Sequence, residues 1–298
     1  MVSHNRLIRP VMSRVFSTIT GIAVVPLIMG SLISAAPETY PIEFLPLASR
    51  ACAVVSPDQK FLVSAYVESA TLSKVNHLQD AHRIPLNLSG RDKVTRLCFF
   101  KTLNQTKATT NDWVESFLET SPENLHALDN GKIIACRFEK WISRVGDKVL
   151  PLSLLYVSFQ QKIPPTGTPL VNAQNKIIGI ILQPAGGAAA YAIPAQAIHR
   201  VQNDIIAHHK LVRGWVGISL STESNTPRIT RIWPESPAQR ANLRVDDILL
   251  RAGDYTTDHY PEAVNALFYT VPGKSTTIEV LRDGKRIPCK LTPVAQKP

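Results

Sequence analysis

From residue 51 to Pro194 the recurring pattern is short runs of β-branched and aromatic residues closed by turn residues. The runs cover 51–56, 61–67, 83–88 and 95–102, broken by Pro57-Asp58-Gln59-Lys60 and Ser89-Gly90, and resume at 132–138, 150–160, 170–172, 177–182 and 188–193. Strand-length runs bounded by turn chemistry predict an all-β barrel or sandwich. Residues 103–130 are more polar and predict loop, with one short helix over 113–119. After Pro194 the apolar spacing changes to about 3.6, with Ile198, Val201, Ile205 and Ile206 on one stripe, which predicts a linker helix to about His209. The remainder, 214–294, alternates strands and turns around two helices. One runs over 237–243 with Ser236 as N-cap and Pro237 at N1; the other runs over 261–269 and ends at Val271-Pro272-Gly273.

The amino terminus reads differently. Arg6, Arg9 and Arg14 precede an uncharged apolar run over 15–36, the pattern of a signal peptide or of an uncleaved membrane anchor, and both readings imply export. Ser34-Ala35-Ala36 offers small residues for cleavage. At 298 residues, 44% hydrophobic and 19% charged, the chain has material for two folded domains. The net charge of +10 is scattered and no nucleic-acid motif accompanies it, so no nucleic-acid partner is expected. Cys52, Cys98, Cys136 and Cys289 form no CxxC pair. No metal and no cofactor is therefore expected, and His199, His208 and His209 read as surface histidines of the linker helix.

Four blocks in order carry a resemblance: Gly214-Trp-Val-Gly-Ile-Ser-Leu, the run from Arg231 to Leu249 containing Pro-Glu-Ser-Pro-Ala, Val271-Pro-Gly-Lys, and Val280-Leu-Arg-Asp-Gly-Lys285. They resemble the PDZ domain that follows HtrA/Deg-type proteases. Independently of the name, a loop such as Trp215-Val216-Gly217-Ile218 can aim several N–H groups at one carboxylate, with Val264, Leu267 and Phe268 as the apolar wall of a groove that takes a peptide as an added strand.

Upstream, Thr166-Gly167-Thr168-Pro169-Leu170-Val171-Asn172 resembles the nucleophile region of the same family, which reads Gly-Asn-Ser-Gly-Gly-Pro-Leu. The resemblance implies a chymotrypsin-like double β-barrel followed by a PDZ domain, mainly β, the latter a small α+β barrel with two helices. It also implies limits of 1–36 for the exported segment, 37–197 for the protease-like domain, 198–210 for the linker helix and 211–298 for the PDZ domain. Matched position by position, the nucleophilic serine falls on Thr166, the oxyanion glycine on Pro164, the histidine on Tyr66 and the aspartate on Arg96. Proline has no N–H to donate, tyrosine keeps its proton at neutral pH, and arginine repels an imidazolium.

These departures predict a protein that is not an enzyme. It would be an envelope pseudoprotease acting as adaptor, sensor or chaperone-like binder of peptide C-termini or misfolded segments. Two alternatives stand beside this expectation. One is an active HtrA/Deg-like endopeptidase of envelope protein quality control, serine-type or with Thr166 as nucleophile activated by a histidine from elsewhere, such as His77 or His82. The other is a regulatory subunit in a homotrimer or in a hetero-oligomer with an active homologue, joined through Tyr40 and Phe44.

Overall fold

The computed structural model describes residues 35–45, 49–66, 72, 74–101, 111–115 and 122–296. The arginine-bearing segment and the apolar run as far as residue 34 lie outside the described residues. Among those described, no helix is long and apolar enough to cross a membrane.

Strands β1 (Thr39–Phe44), β2 (Ser49–Val55), β3 (Phe61–Ala65), β4 (Val75–Gln79), β5 (His82–Pro85), β6 (Leu88–Asp92) and β7 (Leu97–Lys101) form one antiparallel sheet in the order β5-β4-β1-β2-β3-β7-β6. The two-residue period of a strand explains its burial on both faces. Tyr40, Ile42, Phe44, Leu62, Cys98 and Phe100 fill one core. Val63, Ala65, Leu97 and Phe99, on the opposite face, pack against a closed barrel. That barrel is closed by β8 (His126–Asp129), β9 (Lys132–Val145), β10 (Lys148–Phe159), β11 (Pro169–Val171), β12 (Ile177–Gly186) and β13 (Ala189–Pro194). Its interior holds Leu155, Val157, Leu170 and Ile181.

Two expectations change here. Ser89-Gly90 is not a turn but part of β6, where Gly90 lets α1 (Ala195–His208) approach; a Cβ on Gly90 would lie 2.7 Å from Ile205 Cγ2. Trp113 is not helical: it bridges Ile177, and its indole N–H donates to the Val55 carbonyl at 3.0 Å, while 116–119 lie outside the described residues.

Helix α1 buries Ile198, Val201 and Ile205 against the barrels and ends at His209, in the left-handed region at φ 56°, whose N–H donates to Ile205 O at 2.9 Å. The carboxy-terminal module follows, with β14 (Gly214–Trp215), β15 (Ile218–Leu220), β16 (Ile229–Ile232), α2 (Pro237–Arg240), β17 (Ile248–Ala252), β18 (Tyr255–Thr256), α3 (Tyr260–Phe268), β19 (Thr276–Arg282), β20 (Lys285–Leu291) and β21 (Val294–Ala295). The Ser236 hydroxyl caps α2 by accepting from Gln239 N–H at 3.1 Å. His259 and Glu262 form a capping box at α3. The module has its own core around Ile229, Leu249, Ile278 and Val280.

Polar contacts at two places join this module to the rest of the protein. Asn265 Oδ1 on α3 accepts from Ser153 N–H on β10 at 2.8 Å. Arg200 and Asp204, one turn apart on α1, form a buried ion pair at 2.6 Å. Arg200 also donates to Val212 O at 2.8 Å and Thr270 O at 3.4 Å, and Asp204 accepts from Val212 N–H at 2.7 Å.

Candidate functional site

Two regions assemble the residues singled out in the sequence. In the first, the loop before β11 is pinned from both sides. Cys52 N–H of β2 donates to the Thr166 carbonyl at 2.8 Å, and Gly167 N–H donates to Ile181 O of β12 at 2.7 Å. Gly167 is required here. Its φ is 82°, and a Cβ would lie 1.9 Å from the Cys52 carbonyl oxygen and 2.4 Å from Ser64 Oγ. The loop therefore lies directly against β2 and β3. Pro164 is buried, and Thr166 is half-buried with its hydroxyl donating to Leu182 O at 3.2 Å.

Tyr66 and Arg96 meet because β3 pairs with β7: Tyr66 N–H donates to the Arg96 carbonyl at 2.9 Å. The Tyr66 hydroxyl reaches Asp92 O at 3.4 Å, and burial raises its pKa above the usual tyrosine value, so the phenol holds its proton. Neither proposed imidazole is hydrogen-bonded to Thr166. His77 is buried in β4 beside the Tyr40 ring, and His82 is exposed at the start of β5. Tyr40 and Phe44 are core residues, 4% and 2% exposed, so they offer no surface for a subunit contact; the alternation that marks a strand does not say which face is covered. His199 is half-buried with its ring 6.3 Å from Trp113, rather than on the surface.

The second region lies on the carboxy-terminal module. Gly217, at φ 84°, leaves no room for a side chain, since a Cβ would lie 2.1 Å from Ser236 Cβ. Its carbonyl accepts from Trp233 N–H at 3.0 Å, and that of Val216 accepts from Ala238 N–H at 2.9 Å. Trp215 is half-buried and pairs with Val294. Strands β15 and β16 form a sheet of two, so the outer edge of β15 is unpaired among the described residues. With Gly217 bonded to Trp233 and Ile218 opposite Ile232, antiparallel alternation turns the Ile218 N–H and C=O to that open edge.

The side chains of Ile218 and Leu220, with Leu267 of α3, rim the module's core, and Val264 is half-buried one turn earlier on the same helix. Phe268 is not in this groove. One residue further round the helix, about 100° from Leu267, it packs into the cluster shared by the seven-stranded sheet and the closed barrel, together with Leu152 and Leu154 of β10. The Arg200–Asp204 pair and Asn265 were not anticipated. The i,i+4 spacing of the pair is visible in the sequence, but their partners, Thr270 and Ser153, are remote along the chain.

A family model described as a PDZ domain matches residues 214–292. Among curated proteins, a "Probable periplasmic serine endoprotease DegP-like" of Chlamydia trachomatis is 27% identical over 43% of this chain and 29% of its own length. One of the same description from Pseudomonas savastanoi is 23% identical over 78% of this chain and 53% of its own. The "Serine endoprotease DegS" of Haemophilus influenzae is 24% identical over 47% and 44%. The chain thus spans about half, or less, of the length of these relatives. Among solved structures, the "HtrA-type protease AlgW with tripeptide" superposes with a TM-score of 0.62 at 20% identity, covering 89% of this chain and 95% of the other. A serine endoprotease from Yersinia pestis gives 0.54 at 18%, covering 88% and 96%. The expectation of a protein that is not an enzyme is corrected by these names: the curated relatives are endoproteases, and the folds that superpose are those of proteases.

Proposed function

The chain belongs to the HtrA/Deg-type serine proteases that carry a PDZ domain, and from that premise we propose that it is an exported endopeptidase of the cell envelope that captures chain ends in its PDZ groove. The observation that carries this reading is the pairing of a glycine-tight loop at 215–218 with an unpaired strand edge and an apolar floor. A peptide adds to β15 as a strand, its terminal carboxylate lies at the loop, and its last side chain rests on Ile218, Leu220 and Leu267. The periplasm is the setting named for the relatives, and the uncharged run over 15–36 is the export segment or anchor. Domain limits of 37–197 and 211–298, joined through 198–210, belong to this reading.

Peptide hydrolysis falls to the Thr166 loop, with Thr166 at the nucleophile position, Pro164 at an oxyanion position, and Tyr66 and Arg96 where the family keeps histidine and aspartate. Attack by Thr166 Oγ1 on the scissile carbonyl forms an ester and breaks the peptide C–N bond, the hydroxyl proton passing through solvent to the leaving amine; water then hydrolyses the ester, releasing the acid and restoring the Thr166 hydroxyl. Turnover is slow on this geometry, because a hydroxyl without an imidazole is a weak nucleophile. Loss of the Pro164 donor alone costs on the order of 10²–10³ in rate.

The capture step is tested by calorimetry of the full chain with a decapeptide ending in leucine, free or amidated. Binding of the free acid only is expected. Equal binding of the two forms overturns the reading.

A further inference from the structure

We propose that the groove selects chain ends with an acidic penultimate residue, read by Arg231 held on the face of Trp233. This rests on the reading of the groove as a site for C-termini, and names the substrate class it favours. The two faces of the β15–β16 pair differ. Ile218, opposite Ile232, shares with it the face that packs on the module's core. Ser219, opposite Arg231, lies on the other face, and Trp233, two residues beyond Arg231, shares that face.

A strand added along the open edge alternates in the same way. If its last side chain points inward with Ile218, the one before it points outward, in the row of Ser219 and Arg231. Two strand spacings of about 4.8 Å separate that residue from Arg231, a gap that a glutamate and an arginine side chain close between them.

Arg231 is prepared for such a partner. Its guanidinium carbon sits 3.8 Å from the centre of the Trp233 ring, which restricts the side chain before any ligand arrives. Both residues are exposed, Trp233 at 39%. Among the described residues no carboxylate forms an ion pair with Arg231, whereas Arg228, Arg282 and Arg286 each have one. A cation held in place, unpaired, and in line with one position of the incoming strand gives selectivity for charge at that position.

The test uses the full chain and three fluorescein-labelled decapeptides with free C-termini, alike except for Glu, Gln or Lys before a final Leu, read by anisotropy at low salt. The glutamate peptide should bind about 2- to 5-fold more tightly than the glutamine one, the range of an exposed ion pair, and the lysine peptide more weakly than either. The glutamate advantage over the glutamine peptide should vanish in Arg231→Gln and shrink in 0.5 M salt. Equal affinities for all three peptides, or a preference that survives in Arg231→Gln, overturns the charge selection alone. Failure of every free-ended peptide to bind, or equal binding of an amidated one, overturns the groove reading and this inference with it.

Discussion

Gly167 decides where Thr166 can be. The residue combines a φ of 82° with a virtual Cβ inside contact distance of the Cys52 carbonyl, so alanine there meets both a left-handed backbone cost of about 1–2 kcal/mol and a collision with backbone that cannot turn aside. Gly167→Ala should lower the stability of the protein by at least about 2 kcal/mol in denaturant unfolding; an unchanged midpoint would show that the loop is not held as described. Asp247 is a second residue whose chemistry is readable. It is 1% exposed, and burial pushes its pKa up. Hydrogen bonds from Arg282 and from Arg244 N–H, with their charges, outweigh that and hold it below the usual carboxylate value. Because the folded pKa is the lower one, this contribution is present above the unfolded value near 4 and is lost as pH falls through the folded one. Asp247→Asn should destabilise the module by about 2 kcal/mol at pH 7 and flatten the pH dependence of unfolding below pH 4; an unaltered acid limb in the variant contradicts this.

At the scale of elements, α3 serves two neighbours. Ala263 and Ala266 face the PDZ core, while Asn265 and Phe268 face β10. Phe268→Ala should therefore cost about 3–5 kcal/mol and loosen the contact between module and barrels, read as faster proteolysis within 209–214, with peptide binding by the groove retained. Loss of peptide binding with no change in proteolysis would place Phe268 in the groove instead. This double duty marks where the sequence was legible. Strand runs and the PDZ blocks could be read because period-2 alternation and obligatory glycines are local properties. Tyr40, Phe44 and Phe268 were misplaced because local pattern shows that a face is apolar but not what covers it. Trp113 resembled a helix residue by composition, yet its indole bonds to Val55, 58 residues away.

In the whole molecule, the seven-stranded sheet and the closed barrel present the Thr166 loop and a docked PDZ module presents an open strand edge. The Arg200–Asp204 pair ties α1 to the end of α3 through Thr270. The fold alone does not carry function; the reading rests on those two sites acting on one chain. The most direct measurement is mass spectrometry of an unstructured polypeptide ending in Glu-Leu, incubated with the full-length protein and with Thr166→Ala. The account predicts slow internal cleavage by the unaltered protein, slower when the substrate's C-terminus is amidated, and none by Thr166→Ala. No cleavage at all, or cleavage that persists without the Thr166 hydroxyl, contradicts it.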